Sequence, residues 1–442
     1  MRMVLYLGVV LVSLVSMLTG MGTTATKAVT NGIGAAQAEA VLPSNGGPKR
    51  IVSDAAFIRG GGLWVKRAGQ EQQLAPGGTG AAAARYPRWS SDGKWLAYTR
   101  GAMSSNQQLR VIERSKGVEL QVAQQVDRFA WSPDKNRLAY LRQGILFVVD
   151  AASPDKPAEI AREMSNFAWL PDGSGLLAST QSKLLDGESN WTRVRLLQIP
   201  ISAAGSAGPA VTLYTLPEQS DAFFAVGTST FKWSANGRWI AFLATPTASL
   251  SADGNTLCVL SADGKVFRKV DEMVNHEQWI QWSPEGESLA YIGGVGREAT
   301  TNKQLRVLAK PDAGQPTVYT PQGKAAGDFT WNGANSIIVS QAAEQAFSSD
   351  PKKRPRPSLV VVDLTSGKQL PLTTPTGGYG EYDPILLPGK QLSWIRYDGQ
   401  QANVWLADKA GQPGAIWINS IDPGDNYYEQ WGWDAVLDYA KR

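Results

Sequence analysis

The chain has 442 residues, of which 43% are hydrophobic and 19% are charged. This balance excludes an intrinsically disordered protein and is typical of a globular chain with a large core. The net charge of +4 is too small to indicate nucleic-acid binding. With Cys258 as the one cysteine and His276 as the one histidine, most zinc sites and most histidine-based triads are unavailable. We therefore predict no metal, no cofactor and no catalytic residue.

The N-terminus has the pattern of an export signal. Arg2 precedes an uncharged apolar run at residues 3–18, which is short for a membrane span and is followed by small and polar residues. Met21 stands where a lipoprotein would carry its acylated cysteine, so lipidation is not expected. Residues 1–22 are predicted to be a signal peptide or signal anchor, and residues 23–50 a flexible tether. The expected location is extracytoplasmic, either secreted or membrane-anchored.

A tryptophan motif recurs through the rest of the chain. It begins as RWSSDGKWLAY at Trp89 and returns as AWSPDKNRLAY, AWLPDGSGLLA, KWSANGRWIAF, QWSPEGESLAY and the shorter TWNGANSIIV. A degenerate seventh copy, PILLPGKQLSW, has Leu386 near the tryptophan position. A fixed motif at variable spacing indicates one structural unit with loops of different length.

The order of residues in the motif predicts a hairpin. Asp-Gly, Asn-Gly or Glu-Gly between two apolar runs is a tight-turn signal, and two further strands follow each copy, for example QLRVIE and VELQVA. Four antiparallel strands per repeat predict an all-β fold, a single β-propeller over residues 51–420. Seven four-stranded blades fit best, and six or eight are possible. Strands at 62–75, ahead of the first motif, are expected to pair with the last blade and close the ring, and the motif tryptophans to pack between blades.

The repeat resembles the WD-like propeller repeat of the TolB family, and propellers of prolyl-oligopeptidase-type peptidases carry similar repeats. The resemblance covers nearly all of the chain after the tether, and it implies the fold rather than an activity. In TolB, the propeller follows an α/β domain and serves as a docking platform for proteins in the periplasm. Here the TolB N-terminal domain is expected to be missing, and no hydrolase domain with a Ser-Asp-His triad is expected.

Longer inserts on one face of the propeller are predicted to hold the ligand site, because binding usually resides in loops on a rigid scaffold. Connections that lead into the innermost strands place six candidate ligand-binding residues nearest the central mouth: Phe223, Phe224, His276, Tyr379, Glu381 and Tyr382. Two other segments are notable. A basic insert could grip an anionic surface or be a solvated loop, and carries Lys352, Lys353, Arg354 and Arg356. The aromatic C-terminal tail, residues 421–442, has a short amphipathic helix pattern from Asp434 and is expected to pack on the propeller, with a docking helix for a partner as the alternative.

Two classes of function follow from this pattern. The first is a non-catalytic extracytoplasmic platform, not an enzyme, that binds an envelope protein, a peptide or a cell-wall glycan, and no nucleic acid. The alternative is a carbohydrate-active or lactone-hydrolysing enzyme with its site at the propeller mouth. A hydrolase with two carboxylates needs them to converge at about 5 to 10 Å, which a sequence does not reveal.

Overall fold

The computed structural model describes residues 53–101, 107–185, 190–374 and 378–440. The predicted signal (1–22) and tether (23–50) lie outside these residues. Within the described part of the chain, no helix is both long enough and apolar enough to span a bilayer.

The described residues form a β-propeller with eight blades, and each blade is one antiparallel sheet with four strand positions. Blades 1 to 4 comprise β1 Ala55–Arg59, β2 Gly62–Arg67 and β3 Gln70–Ala75; β4 Ala84–Trp89, β5 Trp95–Arg100, β6 Gln108–Glu113 and β7 Val118–Ala123; β8 Arg128–Trp131, β9 Arg137–Arg142, β10 Ile145–Asp150 and β11 Ala158–Arg162; and β12 Met164–Trp169, β13 Gly175–Thr180, β14 Arg195–Pro200 and β15 Val211–Thr215.

Blades 5 to 8 continue the same order, and blade 5 has its first strand in two short pieces. They comprise β16 Gly227–Thr228, β17 Lys232–Trp233, β18 Trp239–Thr245, β19 Asn255–Ser261 and β20 Phe267–Met273; β21 Ile280–Trp282, β22 Leu289–Gly293, β23 Gln304–Leu308 and β24 Thr317–Val318; β25 Lys324–Trp331, β26 Ser336–Ala343, β27 Ser358–Asp363 and β28 Gln369–Pro371; and β29 Gly380–Leu386, β30 Leu392–Tyr397, β31 Ala402–Ala407 and β32 Ala415–Ile421. A hairpin of β33 Asp425–Tyr427 and β34 Gln430–Gly432 follows, and the last strand is β35 Leu437–Tyr439.

Helical structure is confined to single turns. The described helices are α1 Ala248–Ser251 and the 3₁₀ helices Gly80–Ala82, Glu277–Trp279, Pro351–Lys353, Pro388–Lys390 and Trp433–Ala435. Two of them, Glu277–Trp279 and Trp433–Ala435, come just before β21 and β35, which are the innermost strands of their blades.

Local hydrogen bonds explain the order of the motif. The Ser90 hydroxyl donates to Asp92 Oδ1 at 2.8 Å and accepts from the Trp95 backbone N–H at 3.0 Å. Gly93 has φ +66°, a conformation that a side chain would strain. The same serine contacts recur at Ser234, so the motif encodes one turn repeated from blade to blade.

The motif tryptophans pack between neighbouring blades, as expected. Indole N–H groups donate to backbone carbonyls on the first strand of the preceding blade, from Trp131 to Arg88 at 2.9 Å and from Trp282 to Lys232 at 2.8 Å. Trp169 and Trp331 make the equivalent bonds. A buried donor without a partner is costly, so these bonds join each blade to the one before it.

Closure of the ring differs from the prediction. The strands at 62–75 do not join the last blade; they combine with β1 to form three strands of blade 1. The innermost strand of that blade is β35, which pairs antiparallel with β1 so that Ala56 faces Asp438. The C-terminal segment therefore ends as a strand inside the ring rather than as an amphipathic helix packed on the flank. Joining the two ends of the chain in one sheet leaves eight blades instead of the seven that fitted the sequence best.

Candidate active site in the central channel

One position of the repeat recurs from blade 2 to blade 8, and three of its side chains, Tyr86, Arg128 and Thr230, line a large cavity of the channel. It lies three residues before the motif tryptophan, or before Leu386 in blade 8, and the side chains there are Tyr86, Arg128, Asn166, Thr230, Trp279, Asp328 and Asp383. Hydrogen bonds join many of them to neighbours. Arg128 Nη1 donates to Asn166 Oδ1, and Trp279 Nε1 donates to Asp328 Oδ1 at 2.8 Å. Interruptions of strand register occur next to this position in blades 2, 4, 7 and 8, and such bulges re-aim side chains.

A cavity of about 1090 Å³ opens along this ring. It combines aromatic faces, among them Phe129 and Trp131, with charged groups and with the amide side chains of Gln107, Gln125, Gln143 and Gln278. A second cavity of about 650 Å³ lies beneath the β33–β34 hairpin. Both cavities are lined by Tyr86, Glu277, Gln278 and Asp434, so these four residues stand where the two spaces meet.

Glu277 is held as a carboxylate by an unusually complete set of donors. Arg128 Nη2 lies 2.9 and 3.1 Å from its two oxygens, and the backbone N–H and hydroxyl of Thr230 donate to Oε1 at 3.1 and 2.8 Å. Burial acts to raise the pKa of Glu277, but the charge and hydrogen bonds of Arg128 and the Thr230 N–H outweigh it and lower the pKa to about 2. Glu277 is therefore an anchor for Arg128 across the channel and not a proton donor.

Asp434 occupies a central place in the channel. The 3₁₀ turn Trp433–Ala435 carries it into the ring, where Arg88 Nη2 lies 2.6 Å from Oδ2. In the described part of the chain, its other carboxylate oxygen has no hydrogen-bond donor. Its negative charge acts on five ionisable groups at once: Tyr86, Lys232, His276, Asp328 and Asp383.

Asp328 and Asp383 form a neighbouring acidic pair. Asp328 is 8% exposed and accepts from the Asp383 backbone N–H at 3.1 Å. Burial raises the pKa of Asp328, and burial together with the charges of Asp328 and Asp434 raises that of Asp383 well above its usual range. Carboxyl groups that repel one another in a dry site share protons rather than ionise together. Both carboxyl groups are therefore easier to protonate than an ordinary aspartate, and the charge of Asp434 contributes to this in each case.

No metal centre is evident in this cluster. Among the described residues, no three side chains of His, Cys, Asp or Glu converge in a way that could hold an ion.

The structure brings only part of the predicted ligand set to the channel. His276 lines the 650 Å³ cavity, stacks on Trp279 with ring centroids 4.5 Å apart, and has Nε2 3.3 Å from the Trp431 carbonyl oxygen. Burial lowers the pKa of His276. Tyr382 is 7% exposed and lines a separate small cavity with Trp279 and Asp328.

The other predicted residues lie elsewhere. Phe223 is 4% exposed and packs edge-on against Phe267 of the outermost strand β20, so its predicted place near the mouth is wrong, because the long insert folds back on the blade's outer edge. Phe224 is half-buried beside it, and Tyr379 is half-buried ahead of β29. Glu381 is fully buried and pairs with Arg396 at 2.6 Å. Ligand binding by these residues stays a prediction.

The basic insert is partly engaged within the molecule. Arg354 pairs with Glu429 and lies over the Phe347 ring, 4.6 Å from its centroid, and Arg356 donates to the Asp398 carbonyl at 3.4 Å. Lys352 and Lys353 are exposed. Binding of an anionic surface by this insert stays a prediction. Of its four basic residues, Lys352 and Lys353 are the exposed ones that could make such contacts.

Comparison with known proteins gives the fold and little beyond it. No family model matches the chain, and no curated protein matches it either, so the resemblance to TolB is not confirmed. Among solved structures, a puromycin hydrolase has 15% identity over 77% of this chain and 54% of its own, with a TM-score of 0.48. A puromycin-hydrolyzing peptidase of Mycobacterium tuberculosis has 16% identity over 78% and 53%, with a TM-score of 0.48. The chain spans about half the length of these two enzymes.

An oligogalacturonate lyase from Vibrio parahaemolyticus is similar over more of its length, with 13% identity over 81% of this chain and 97% of its own and a TM-score of 0.45. These neighbours are enzymes. This finding contradicts the expectation that the chain is a non-catalytic platform and not an enzyme, and we withdraw that expectation. At such low identity the likeness shows the β-propeller fold alone. The chemistry of this chain has to be argued from its own channel.

Proposed function

We propose that the protein is an enzyme that acts on a carbohydrate or a lactone bound in the central channel. The observation that carries this proposal is the position of Asp434, a carboxylate paired with Arg88 through one oxygen whose charge acts on Asp383, a carboxyl group with a raised pKa. Neighbouring carboxyl groups whose protonation states are pushed apart are the usual basis of acid and base roles.

The proposed roles follow from that difference. Asp383, protonated, donates a proton to the leaving oxygen, and the free oxygen of Asp434 accepts a proton from the attacking water. Glu277 and Arg128 take no part in proton transfer, because their mutual ion pair at 2.9 Å and the Thr230 bonds fix both side chains. They hold the channel wall in place.

The lining of the larger cavity supports a polyhydroxylated substrate. Aromatic rings such as those of Phe129 and Trp131 offer flat apolar faces, and the four glutamine amides offer donors and acceptors for hydroxyl groups. A site built from rings and amides suits a sugar or a sugar-derived lactone better than an apolar molecule.

Activity on a substrate panel tests the proposal. Purified protein is incubated with neutral and acidic oligosaccharides and lactones, and new reducing ends or carboxylates are measured by mass spectrometry. Asp383→Asn and Asp434→Asn should each lower the rate by about 10²- to 10⁴-fold, which is the usual contribution of an acid or base. The matched control Asp172→Asn changes an exposed turn carboxylate and should retain the rate. Folded variants with the wild-type rate would refute the assignment.

We also propose that the enzyme works outside the cytoplasm, on the basis of the N-terminal sequence. Cell fractionation with an antibody tests this: the protein should be found in the envelope or the medium, and deleting residues 1–22 should retain it in the cytosol. Equal cytosolic amounts of both forms would contradict export.

A further inference from the structure

Lys232 presents an amine to the larger cavity without a partner. It belongs to β17 and lines the 1090 Å³ space, and its backbone is fixed by the bond from the Trp282 indole to its carbonyl oxygen at 2.8 Å. Its side-chain nitrogen makes no hydrogen bond or ion pair with any residue that the structure describes. A lysine that lines a cavity, with its backbone fixed and its amine unpaired, is suited to bind a ligand there.

Charges around this lysine are already matched with one another. Glu277 is engaged by Arg128 at 2.9 Å, and Asp434 by Arg88 at 2.6 Å. Asp127 lies exposed at the rim, where it accepts from the Gln143 N–H at 3.1 Å. Among the described charged residues that line the cavity interior, Lys232 is therefore the one whose side chain forms no ion pair.

The surroundings make such a charge costly. Burial lowers the pKa of Lys232, Arg128 lowers it further, and the carboxylates of Glu277 and Asp434 raise it without touching the amine. An ammonium removed from water is stabilised when an anion contacts it directly. The single positive charge of one ammonium matches a carboxylate better than a phosphate dianion. Phosphate is usually bound by several donors together.

We propose that Lys232 binds the carboxylate of an acidic sugar, or of a lactone derived from one, in the central cavity. The sugar part of this inference rests on the proposed function, while the anion subsite rests on the lysine itself. Lys232 is thus a specificity-determining residue that selects acidic over neutral substrates, and its ion pair holds the hydroxylated ring against the aromatic and glutamine side chains of the wall.

Direct binding measurements test the subsite without turnover. Isothermal titration calorimetry with glucuronate, glucose and glucose 6-phosphate compares the same sugar ring with a carboxylate, with no charge and with a phosphate. The wild-type protein should bind glucuronate at least 10-fold more tightly than glucose and more tightly than glucose 6-phosphate. Lys232→Met should abolish the preference for glucuronate, and Lys232→Arg should retain part of it. The control Lys94→Met removes an exposed lysine of a turn and should leave the preference intact.

Each alternative result is decisive. Equal affinity for glucuronate and glucose, or a preference that survives Lys232→Met in a protein with a wild-type melting temperature, overturns the subsite. If glucose 6-phosphate binds more tightly than glucuronate, the subsite prefers a phosphate, and the proposed carboxylate subsite is also overturned. If glucuronate binds as expected but no substrate of the panel is converted, the proposed enzyme activity fails while the anion subsite stands.

Discussion

At the scale of single residues, the channel combines side chains that are held by partners with side chains that are left free. Glu277 accepts hydrogen bonds from two residues and cannot move without losing them, whereas Lys232 and one oxygen of Asp434 remain available. Rigid neighbours around free groups are what a site needs in order to hold a substrate in a productive position. The wall and the reactive groups of the channel are thus separate sets of residues.

The first prediction concerns Glu277 and pH. Its pKa is about 2 in the folded protein against an ordinary value of 4.5, so its stabilising ion pair is present above pH 4.5 and is lost as the pH falls toward 2. Glu277→Gln should therefore lower the free energy of unfolding by about 1–3 kcal/mol near neutral pH. That deficit should shrink steadily between pH 4.5 and 2. Urea unfolding at several pH values measures it, and a deficit independent of pH would contradict the assignment of the charge to Glu277.

The channel residues could have been found in the sequence only in part. The position three residues before each motif tryptophan, or before Leu386 in the degenerate copy, is readable in the repeats, and it contains Arg128, Asp328 and Asp383. Loop length instead directed attention to Phe223, which the fold turns to the outer edge of blade 5. Asp434 and Glu277 could not be found in this way, because Asp434 comes from a helical turn outside the repeat and Glu277 lies two residues before the repeat position Trp279.

At the scale of strands and blades, the indole bonds between neighbours explain why the motif begins with tryptophan. Trp331 donates to the Gln281 carbonyl at 3.2 Å, while the Trp89 indole nitrogen is buried without a hydrogen-bond acceptor among the described residues. The two rings are equally buried, at 6% and 7% exposure. They form a matched pair in which one makes the bond between blades and the other does not.

The second prediction uses this pair. Replacing either tryptophan by phenylalanine removes a similar buried area, but only Trp331→Phe leaves a carbonyl oxygen without its donor. Trp331→Phe should therefore cost about 1 kcal/mol more than Trp89→Phe. Chemical denaturation of both variants supplies the comparison. Equal losses would show that the rings stabilise the blades by packing alone.

The third prediction concerns the strand that closes the ring. β35 pairs with β1 from Ala55 to Phe57, and Trp433 beside it is 1% exposed in the core. Deleting residues 433–442 should leave blade 1 without its innermost strand and expose the edge of β1. We expect a large loss of melting temperature or aggregation, with partial rescue by a peptide of the deleted sequence. A truncated protein that melts like the wild type would show that closure does not depend on this strand.

Hairpin structure was predictable at this scale and closure was not. Local turn chemistry, such as the Ser90 and Asp92 contacts, acts over a few residues and is visible in the sequence. The pairing of Ala55 with Tyr439 joins opposite ends of the chain, and no local pattern encodes it. Because the strands of blade 1 come from such distant parts of the sequence, the tryptophan repeats do not reveal this blade.

At the scale of the whole molecule, eight blades surround a channel that is wide enough for a small molecule and lined by groups from different blades. Arg128 of blade 3 reaches Glu277 ahead of blade 6 at 2.9 Å, so the channel is braced across its width. In this closed scaffold the charge of Asp434, near the end of the chain, acts on Asp383 of blade 8. The proposed chemistry depends on two carboxyl groups held by separate blades, with Asp383 as the proton donor to the leaving oxygen and Asp434 as the proton acceptor from water.

Infrared spectroscopy of the carboxyl groups near neutral pH tests that claim without requiring a known substrate. A protonated carboxyl group has a stretching band distinct from that of a carboxylate. The wild-type protein should show a protonated band that is lost or shifted in Asp383→Asn and Asp328→Asn and is unchanged in Glu277→Gln, because Glu277 is already ionised. If no protonated band near neutral pH depends on Asp328 or Asp383, the channel lacks the proton donor that the proposed chemistry requires.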